Sequence, residues 1–144
     1  MSVHQSIAEA EAEIVEEFSM FDDWMDKYQY LIELGQDLPQ LADQFKTEDN
    51  IVHGCQSQVW LTANRTGDDV IFSADSDAII TKGLIAMLMR VLSGQKAEEI
   101  VQSELGFIDK IGMREHLSPT RSNGLNAMIK QMKYYALALQ QPQS

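Results

Sequence analysis

The sequence IVHGCQSQVWL, residues 51–61, decides how the chain is expected to fold. Residues 51–52 predict one strand and residues 58–64 predict a second, because β-branched and aromatic side chains dominate both. Between them, Gly54 opens a short polar segment and can take backbone conformations that other residues avoid. The stretch therefore places Cys55, the single cysteine of the chain, at a turn between two strands.

The chain after this turn continues as a hairpin and then as a long helix. Residues 70–74 predict a third strand, and the Gly-containing turn at residues 65–69 joins it to the second as an antiparallel pair. Ser76 or Asp77 is expected to cap a helix that runs to about Ser93. Apolar residues lie on more than one side of this helix, so we expect it to be central and buried.

Two helices are predicted before the sheet. Ser6 and Glu9 have the spacing of a capping box at the start of the first helix. The acidic pair at residues 22–23 is able to cap the second, and Gly35 is expected to end it.

The segment after the central helix predicts a short helix and a long one. Residues 97–105 predict the short helix, whereas residues 107–113 are ambiguous. Residues 117–122 predict a loop, and Asn123 is expected to cap the last helix.

Helices, then strands, then helices are typical of an α+β fold. The expected fold is a small antiparallel sheet of about three strands covered by helices, because a sheet of this size is not stable with both faces bare. We expect a single domain over residues 1–144. Its core would span about residues 6–139, and residues 140–144 would form a flexible tail.

The charge of the chain is strongly acidic, with a formal net charge of −11 and a pI near 4.5. This balance argues against binding to nucleic acid and against binding to an anionic membrane surface. The first 26 residues hold eight acidic residues and no Lys or Arg, which predicts either a docking surface for a basic partner or a solvated helix face. The sequence shows no signal-peptide pattern and no membrane-spanning run, so we expect a cytoplasmic location.

The chemistry of the chain is expected to centre on Cys55. One cysteine and three histidines form no ligand cluster for zinc or iron–sulfur, so we predict no metal site. A buried structural cysteine is one interpretation, and a nucleophile with His116 as its base is another. A third is exchange chemistry, in which a thiolate attacks sulfur and a nearby cation, with Arg121 as the candidate, favours the thiolate.

Three separated motifs resemble those of the SufE family, which includes the CsdE proteins. They are VHGCQSQVW at residues 52–60, SDA with KGLIA at residues 76–78 and 82–86, and LSPTRSNGL at residues 117–125. The motifs occur in the same order as in the family. The resemblance extends over about residues 14–139, which is nearly the whole chain.

The resemblance implies a sulfur carrier. SufE-like proteins accept persulfide sulfur from a pyridoxal-phosphate cysteine desulfurase of the SufS or CsdA type, stimulate that enzyme and pass the sulfur to an iron–sulfur assembly scaffold such as SufBCD. The accepting residue of the family falls on Cys55, and no cofactor on this chain is implied. The supporting residues implied by the motifs are Gly54, Gln56, Ser57, Asp77 and Arg121.

The implied fold is akin to that of the iron–sulfur scaffolds of the IscU/NifU type. Those scaffolds use three cysteines, whereas this chain has one, which separates a carrier from a scaffold. The alternative function is a non-catalytic binding module in which Cys55 is structural. Alkylation of the native protein distinguishes the two, because a carrier loses its function on modification.

Overall fold

The structure is a computed structural model that describes residues 5–55 and 57–140. Gln56 and most of the predicted tail, residues 141–144, lie outside the described residues. In chain order the elements are α1 (Ile7–Ser19), α2 (Trp24–Gln36), the 3-10 turns Asp43–Phe45 and Glu48–Asn50, β1 (Val59–Thr66), β2 (Asp69–Ser76), α3 (Ile79–Leu92), β3 (Gln95–Lys96), α4 (Ala97–Gln102), α5 (Phe107–Lys110), α6 (Met113–His116) and α7 (Pro119–Leu139). This order confirms the α+β prediction.

The sheet is built on the predicted hairpin of β1 and β2. The two strands pair antiparallel over their full length, from Val59 opposite Ser76 to Thr66 opposite Asp69. Alternate residues point to one face of a strand, so the hairpin has one buried face and one more open face. The buried side chains on it are Val59, Leu61, Val70, Phe72 and Ala74.

Two helices cover the buried face of the hairpin. Ile85 and Leu88 of α3 and Met128 and Met132 of α7 converge with the sheet residues on a small apolar space between the three layers. All four side chains are at most 3% exposed, so the centre of the core lies here. The central role predicted for the helix after the hairpin is confirmed.

The strand predicted at residues 51–52 is present only as an isolated bridge and is not one of the strands of the sheet. Ile51 forms an isolated antiparallel bridge to Trp60, and the N–H of Val52 donates to the carbonyl of Val59 at 2.8 Å. A 3-10 turn ends directly before this pair and a turn begins directly after it, so only two residues are extended. The two apolar residues therefore contact the sheet without adding a strand to it.

The third strand of the sheet is β3, which the sequence did not predict. It consists of two residues and pairs antiparallel with Asp69 and Val70, giving the order β1-β2-β3. Gly94 precedes it with a φ of 86°, in the left-handed region, and its N–H donates to the carbonyl of Val70 at 2.7 Å. The preceding helix ends at Leu92, close to the predicted end at Ser93, and this glycine returns the chain to the sheet.

The helix that Gly35 was predicted to end continues through it to Gln36, so that prediction was wrong. Gly35 lies where α2 crosses α3, and a Cβ atom on it would sit 2.7 Å from the backbone nitrogen of Gly83. A Cβ atom on Gly83 would in turn lie 2.4 Å from the carbonyl oxygen of Leu31. The two glycines allow the helix backbones to touch, and this contact fixes α3 against α2.

The caps of the first two helices follow the prediction. Ser6 and Glu9 form a complete capping box at α1. Asp23 caps α2 by accepting from the N–H of Asp26 at 2.9 Å. The ambiguous segment 107–113 contributes α5 and the start of α6.

The cap of the last helix was predicted wrongly. Ser118, not Asn123, caps α7 by accepting from the N–H of Arg121 at 3.3 Å, and Pro119 is the first helical residue. Proline suits that position because its missing N–H would have no helical partner there. Most of the predicted loop at residues 117–122 is therefore the first turn of α7.

No helix among residues 5–55 and 57–140 combines the length and the apolar character that crossing a bilayer requires.

Candidate functional site

Cys55 lies in the loop between the Ile51 bridge and β1, as the sequence predicted, and rests on the side of α7. Its thiol is partly buried and donates to the carbonyl oxygen of Gly124 at 3.6 Å from Sγ. A Cβ atom on Gly124 would lie 3.5 Å from Sγ, an ordinary van der Waals distance, so the thiol packs closely against the backbone of the helix. The reactive atom is thus held by tertiary contact.

A cavity of about 200 Å³ opens beside the thiol. The Cys55 loop, the start of α3 and the first turns of α7 enclose it together. The residues that line it are Cys55, Ser57, Ala78, Thr81, Leu84, Thr120, Arg121, Gly124, Leu125 and Met128. This volume is several times that of a water molecule, so it has room for an additional sulfur atom on Cys55.

The end of the loop after Cys55 is held by the junction between β2 and α3. The carboxylate of Asp77 accepts from the N–H of Gln58 at 3.1 Å, and the hydroxyl of Ser76 donates to the carbonyl of Gln58 at 2.8 Å. Neither residue caps α3 as predicted, because β2 extends through Ser76 and both side chains are directed to Gln58. The residue before α3 is Ala78, which has no side-chain cap.

Two further contacts hold the middle of the loop. The hydroxyls of Ser57 and Thr81 are 3.2 Å apart and share a hydrogen bond. Gly54 has a φ of 98°, in the region that favours glycine, and a Cβ atom on it would lie 3.2 Å from the Cβ of Ala127. The loop is therefore fitted to α3 on one side and to α7 on the other.

Burial dominates the electrostatics of the thiol. It raises the pKa of Cys55, because removing the thiolate from water costs free energy. Arg121 lines the same cavity and is exposed, and it belongs to the first turn of α7 rather than to a loop. In this resting arrangement the thiol is predominantly protonated at neutral pH.

Neither His53 nor His116 lines the cavity at the thiol. The ring of His116 stacks on Trp24 with centroids 3.8 Å apart, and its Nδ1 lies 3.0 Å from the carbonyl of Gly112. It does not line the Cys55 cavity, so the structure does not bring together the Cys–His pair considered as an alternative. His53 is exposed. Within the described residues, no group of three His, Cys, Asp or Glu side chains is arranged to hold a metal ion.

Sequence reasoning brought Cys55, Ser57 and Arg121 into one site, and all three line the cavity. It missed Thr81 and Gly124, because each contributes through a contact between distant segments. Thr81 is a buried polar residue on a largely apolar helix, and this was a signal for it. Nothing in the sequence indicated that Gly124 contacts Cys55 rather than a neighbouring helix.

Comparisons with known proteins agree with the geometry. The family described as SufE, an Fe–S metabolism associated domain, matches residues 12–136. The chain is 43% identical over 126 residues to an uncharacterised SufE-like protein of Rhizobium meliloti, covering 84% of this chain and 90% of that one. It is 44% identical over 126 residues to an uncharacterised SufE-like protein of Rhizobium etli, covering 84% and 85% of the two chains.

One solved structure with the same fold is the solution structure of a hypothetical protein from Thermus thermophilus. It superposes with a TM-score of 0.74 over 90% of this chain and 94% of that chain. The sequence identity is 22%, so the likeness is one of fold.

Proposed function

The chain belongs to the SufE family of Fe–S metabolism proteins, and from that premise we propose that Cys55 accepts persulfide sulfur from a cysteine desulfurase. The donor is a pyridoxal-phosphate enzyme of the SufS or CsdA type, and the recipient is an iron–sulfur assembly scaffold of the SufBCD kind. The observation that carries this proposal is the placement of the single cysteine, whose thiol borders a cavity of about 200 Å³ on a loop held by α3 and α7.

The transfer needs no oxidant or reductant. The Cys55 thiol loses its proton, and the thiolate attacks the outer sulfur of the donor persulfide. The sulfur–sulfur bond of the donor breaks, and the donor cysteine leaves as a thiolate that takes up a proton. Cys55 then carries the outer sulfur as its own persulfide and yields it to the next thiol by the same kind of step.

The same step explains stimulation of the donor. A desulfurase that holds its own persulfide cannot begin another turnover until a nucleophile removes the sulfur. A thiol on a compact loop is able to enter the site of the partner, where bulk reductants are hindered. Cys55 is therefore a carrier and an activator, and the chain needs no cofactor of its own for that role.

The cavity supplies shelter for the carried sulfur. Leu84, Leu125 and Met128 give it apolar walls, and these side chains are at most 3% exposed. A persulfide beside them would lie against apolar side chains on one side, which limits its contact with soluble thiols. Thr81 and Ser57 bring hydroxyl groups to the same space.

We further propose that residues 1–144 act as one domain in the cytoplasm. A reducing compartment keeps a free thiol available for exchange. The supporting roles proposed for Gly54, Gln56, Ser57, Asp77 and Arg121 are to shape the loop and to favour the reactive form of the thiol.

A second candidate function is a binding module in which Cys55 is structural. Partial burial and the hydrogen bond to Gly124 favour it, since both are features of an inert cysteine. The two candidates differ in what the loss of the thiol does, because a binding module keeps its activity without it.

Desulfurase turnover with and without the thiol tests the proposal. Cys55→Ser keeps the shape of the side chain but replaces the thiol with a hydroxyl that cannot hold a persulfide, so stimulation of a SufS-type desulfurase should be abolished. Its free energy of unfolding should stay within about 1 kcal/mol of wild type.

The control restores a thiol elsewhere. Cys55→Ser with Ser73→Cys places a thiol on an exposed position of β2, where it should not restore stimulation. Full stimulation by Cys55→Ser would show that the effect is allosteric and would contradict the carrier mechanism.

A further inference from the structure

A second concave surface lies beside the Cys55 loop, on the outer side of α7. It has a volume of about 600 Å³ and is separate from the cavity at the thiol. We call it the α7 groove. Its principal lining residues are His53, Ala127, Lys130, Gln131, Tyr134 and Leu137.

Most of the α7 groove is formed by one face of the helix, and His53 and Val101 of α4 line the rest. Ala127, Lys130, Gln131 and Tyr134 follow the spacing that places residues on the same side of an α-helix. Tyr134 is 66% exposed and Leu137 is 54% exposed, although both are large and apolar in most of their surface. Exposed aromatic and aliphatic side chains around a concave surface are typical of protein interfaces.

The groove is continuous with the loop that carries the thiol. His53 lines it two residues before Cys55, and Ala127 is the residue against which Gly54 packs. A protein seated in the groove would therefore touch the backbone of the loop itself.

The charge of the groove differs in sign from that of the whole chain. Lys130 and Lys133 line it, and none of its described lining residues is acidic, whereas the chain has a net charge of −11. The ammonium of Lys133 donates to the carbonyl of Ser103, while Lys130 is exposed. A positive surface selects a partner that presents acidic residues to it.

We propose that the α7 groove is the docking surface for the cysteine desulfurase, which places an acidic segment with apolar side chains against Lys130, Tyr134 and Leu137. This assignment rests on the proposed function, because the desulfurase is the partner whose persulfide Cys55 must reach. The acidic residues of the segment meet Lys130, and its apolar side chains cover Tyr134 and Leu137.

Binding of full-length variants to a SufS-type desulfurase tests the assignment. Lys130→Glu with Tyr134→Ala should raise the Kd roughly tenfold or more, because one change reverses a charge and the other removes an aromatic anchor. It should also weaken the salt dependence of binding. Loading of Cys55 at saturating desulfurase should remain near the wild-type rate, since neither residue lines the thiol cavity.

The control makes the same kinds of change on other faces. Lys110→Glu with Met25→Ala reverses one exposed charge on α5 and truncates one 81% exposed side chain on α2. It should bind as wild type does. A groove variant that also binds as wild type, or one that loses only delivery of sulfur to the recipient, would overturn the assignment.

The two proposals fail separately in this experiment. Wild-type protein that binds the desulfurase through the groove but gains no sulfur contradicts the proposed function and supports the docking surface. Wild-type protein that gains sulfur while the groove variant keeps its Kd contradicts the docking surface alone. Wild-type protein that does not bind the desulfurase contradicts both.

Discussion

The reactivity of Cys55 depends on the surroundings of its Sγ atom. Burial raises the pKa of its thiol, and the carbonyl of Gly124 accepts its proton in a hydrogen bond. Both effects favour the neutral form, whereas exchange requires the thiolate. The resting protein is therefore protected against unspecific reaction, and a docked partner must change the surroundings of the thiol before sulfur moves.

The first prediction at this scale is a pH profile of alkylation. The rate at which native Cys55 reacts with iodoacetamide should rise with pH. The pH at its midpoint should lie above about 8.5, the ordinary pKa of a free cysteine thiol. The same measurement in denaturant supplies the unfolded reference. Because the folded pKa is the higher one, the stabilising effect of the protonated thiol is present below the unfolded pKa and is lost as the pH rises through the folded pKa. A native midpoint at or below the unfolded one would contradict this.

The second prediction concerns Arg121, which lines the same cavity. Arg121→Ala should raise the pH midpoint of alkylation further, because a cation that favours the thiolate is removed. Arg65→Ala, which removes an arginine on the hairpin paired with Asp68, is the matched control and should change nothing. If both variants share the wild-type rate and midpoint, Arg121 has only the role of a surface residue.

Sequence reasoning at the residue scale succeeded where a short stretch carries the information. The Gly54–Cys55 turn and the capping box at Ser6 are local patterns, and both are present in the structure. Thr81 and Gly124 were missed, because their contacts with the loop join segments more than 20 residues apart. Asp77 was expected at a helix cap, and only the register of β2 directs its side chain to Gln58 instead.

At the scale of elements, the crossing of α2 and α3 positions one wall of the site. Gly83 lies in α3 between Thr81 and Leu84, both of which line the Cys55 cavity. A displacement of α3 at the crossing is therefore transmitted to the cavity wall within one helical turn. The close contact of Gly35 and Gly83 keeps that wall in place.

The prediction for this crossing uses a pair of glycines. Gly83→Ala should lower the free energy of unfolding by about 3 kcal/mol, because its Cβ would meet the carbonyl oxygen of Leu31 at 2.4 Å and the helices would have to separate. Gly106→Ala is the control, since a Cβ atom there meets nothing within 4 Å. Chemical denaturation of both variants gives the comparison, and equal stabilities would contradict the close crossing.

Element boundaries were predicted less well than element types. Gly35 has the chemistry of a helix end, but the presence of Gly83 opposite it makes it an interior contact. Ser118 and Asn123 are both able to cap a helix, and the proline after Ser118 is the local signal that decides between them. The two-residue β3 carries too few side chains for a periodic pattern, so only pairing with β2 defines it.

The molecule as a whole joins a rigid support to one reactive loop. The α+β order could be predicted from the sequence, because β-branched and aromatic residues dominate the strands, whereas apolar residues recur at helical spacing in the helices. The cavity and the α7 groove could not be predicted from the sequence. Both form where α7 contacts the Cys55 loop, and these two segments are more than 60 residues apart in the chain. The acidic character of the chain and the basic lining of the groove also become separate features only once the chain is folded.

The most direct test of the carrier function is the mass of the intact protein after incubation with a SufS-type desulfurase and cysteine. The wild-type chain should gain the mass of one or more sulfur atoms, and a reductant should remove this gain. Proteolysis should then locate the added mass on the peptide that contains Cys55. Cys55→Ser should gain nothing under the same conditions. An unchanged wild-type mass while the desulfurase consumes cysteine, or an equal gain in Cys55→Ser, would contradict the assignment of Cys55 as the sulfur acceptor.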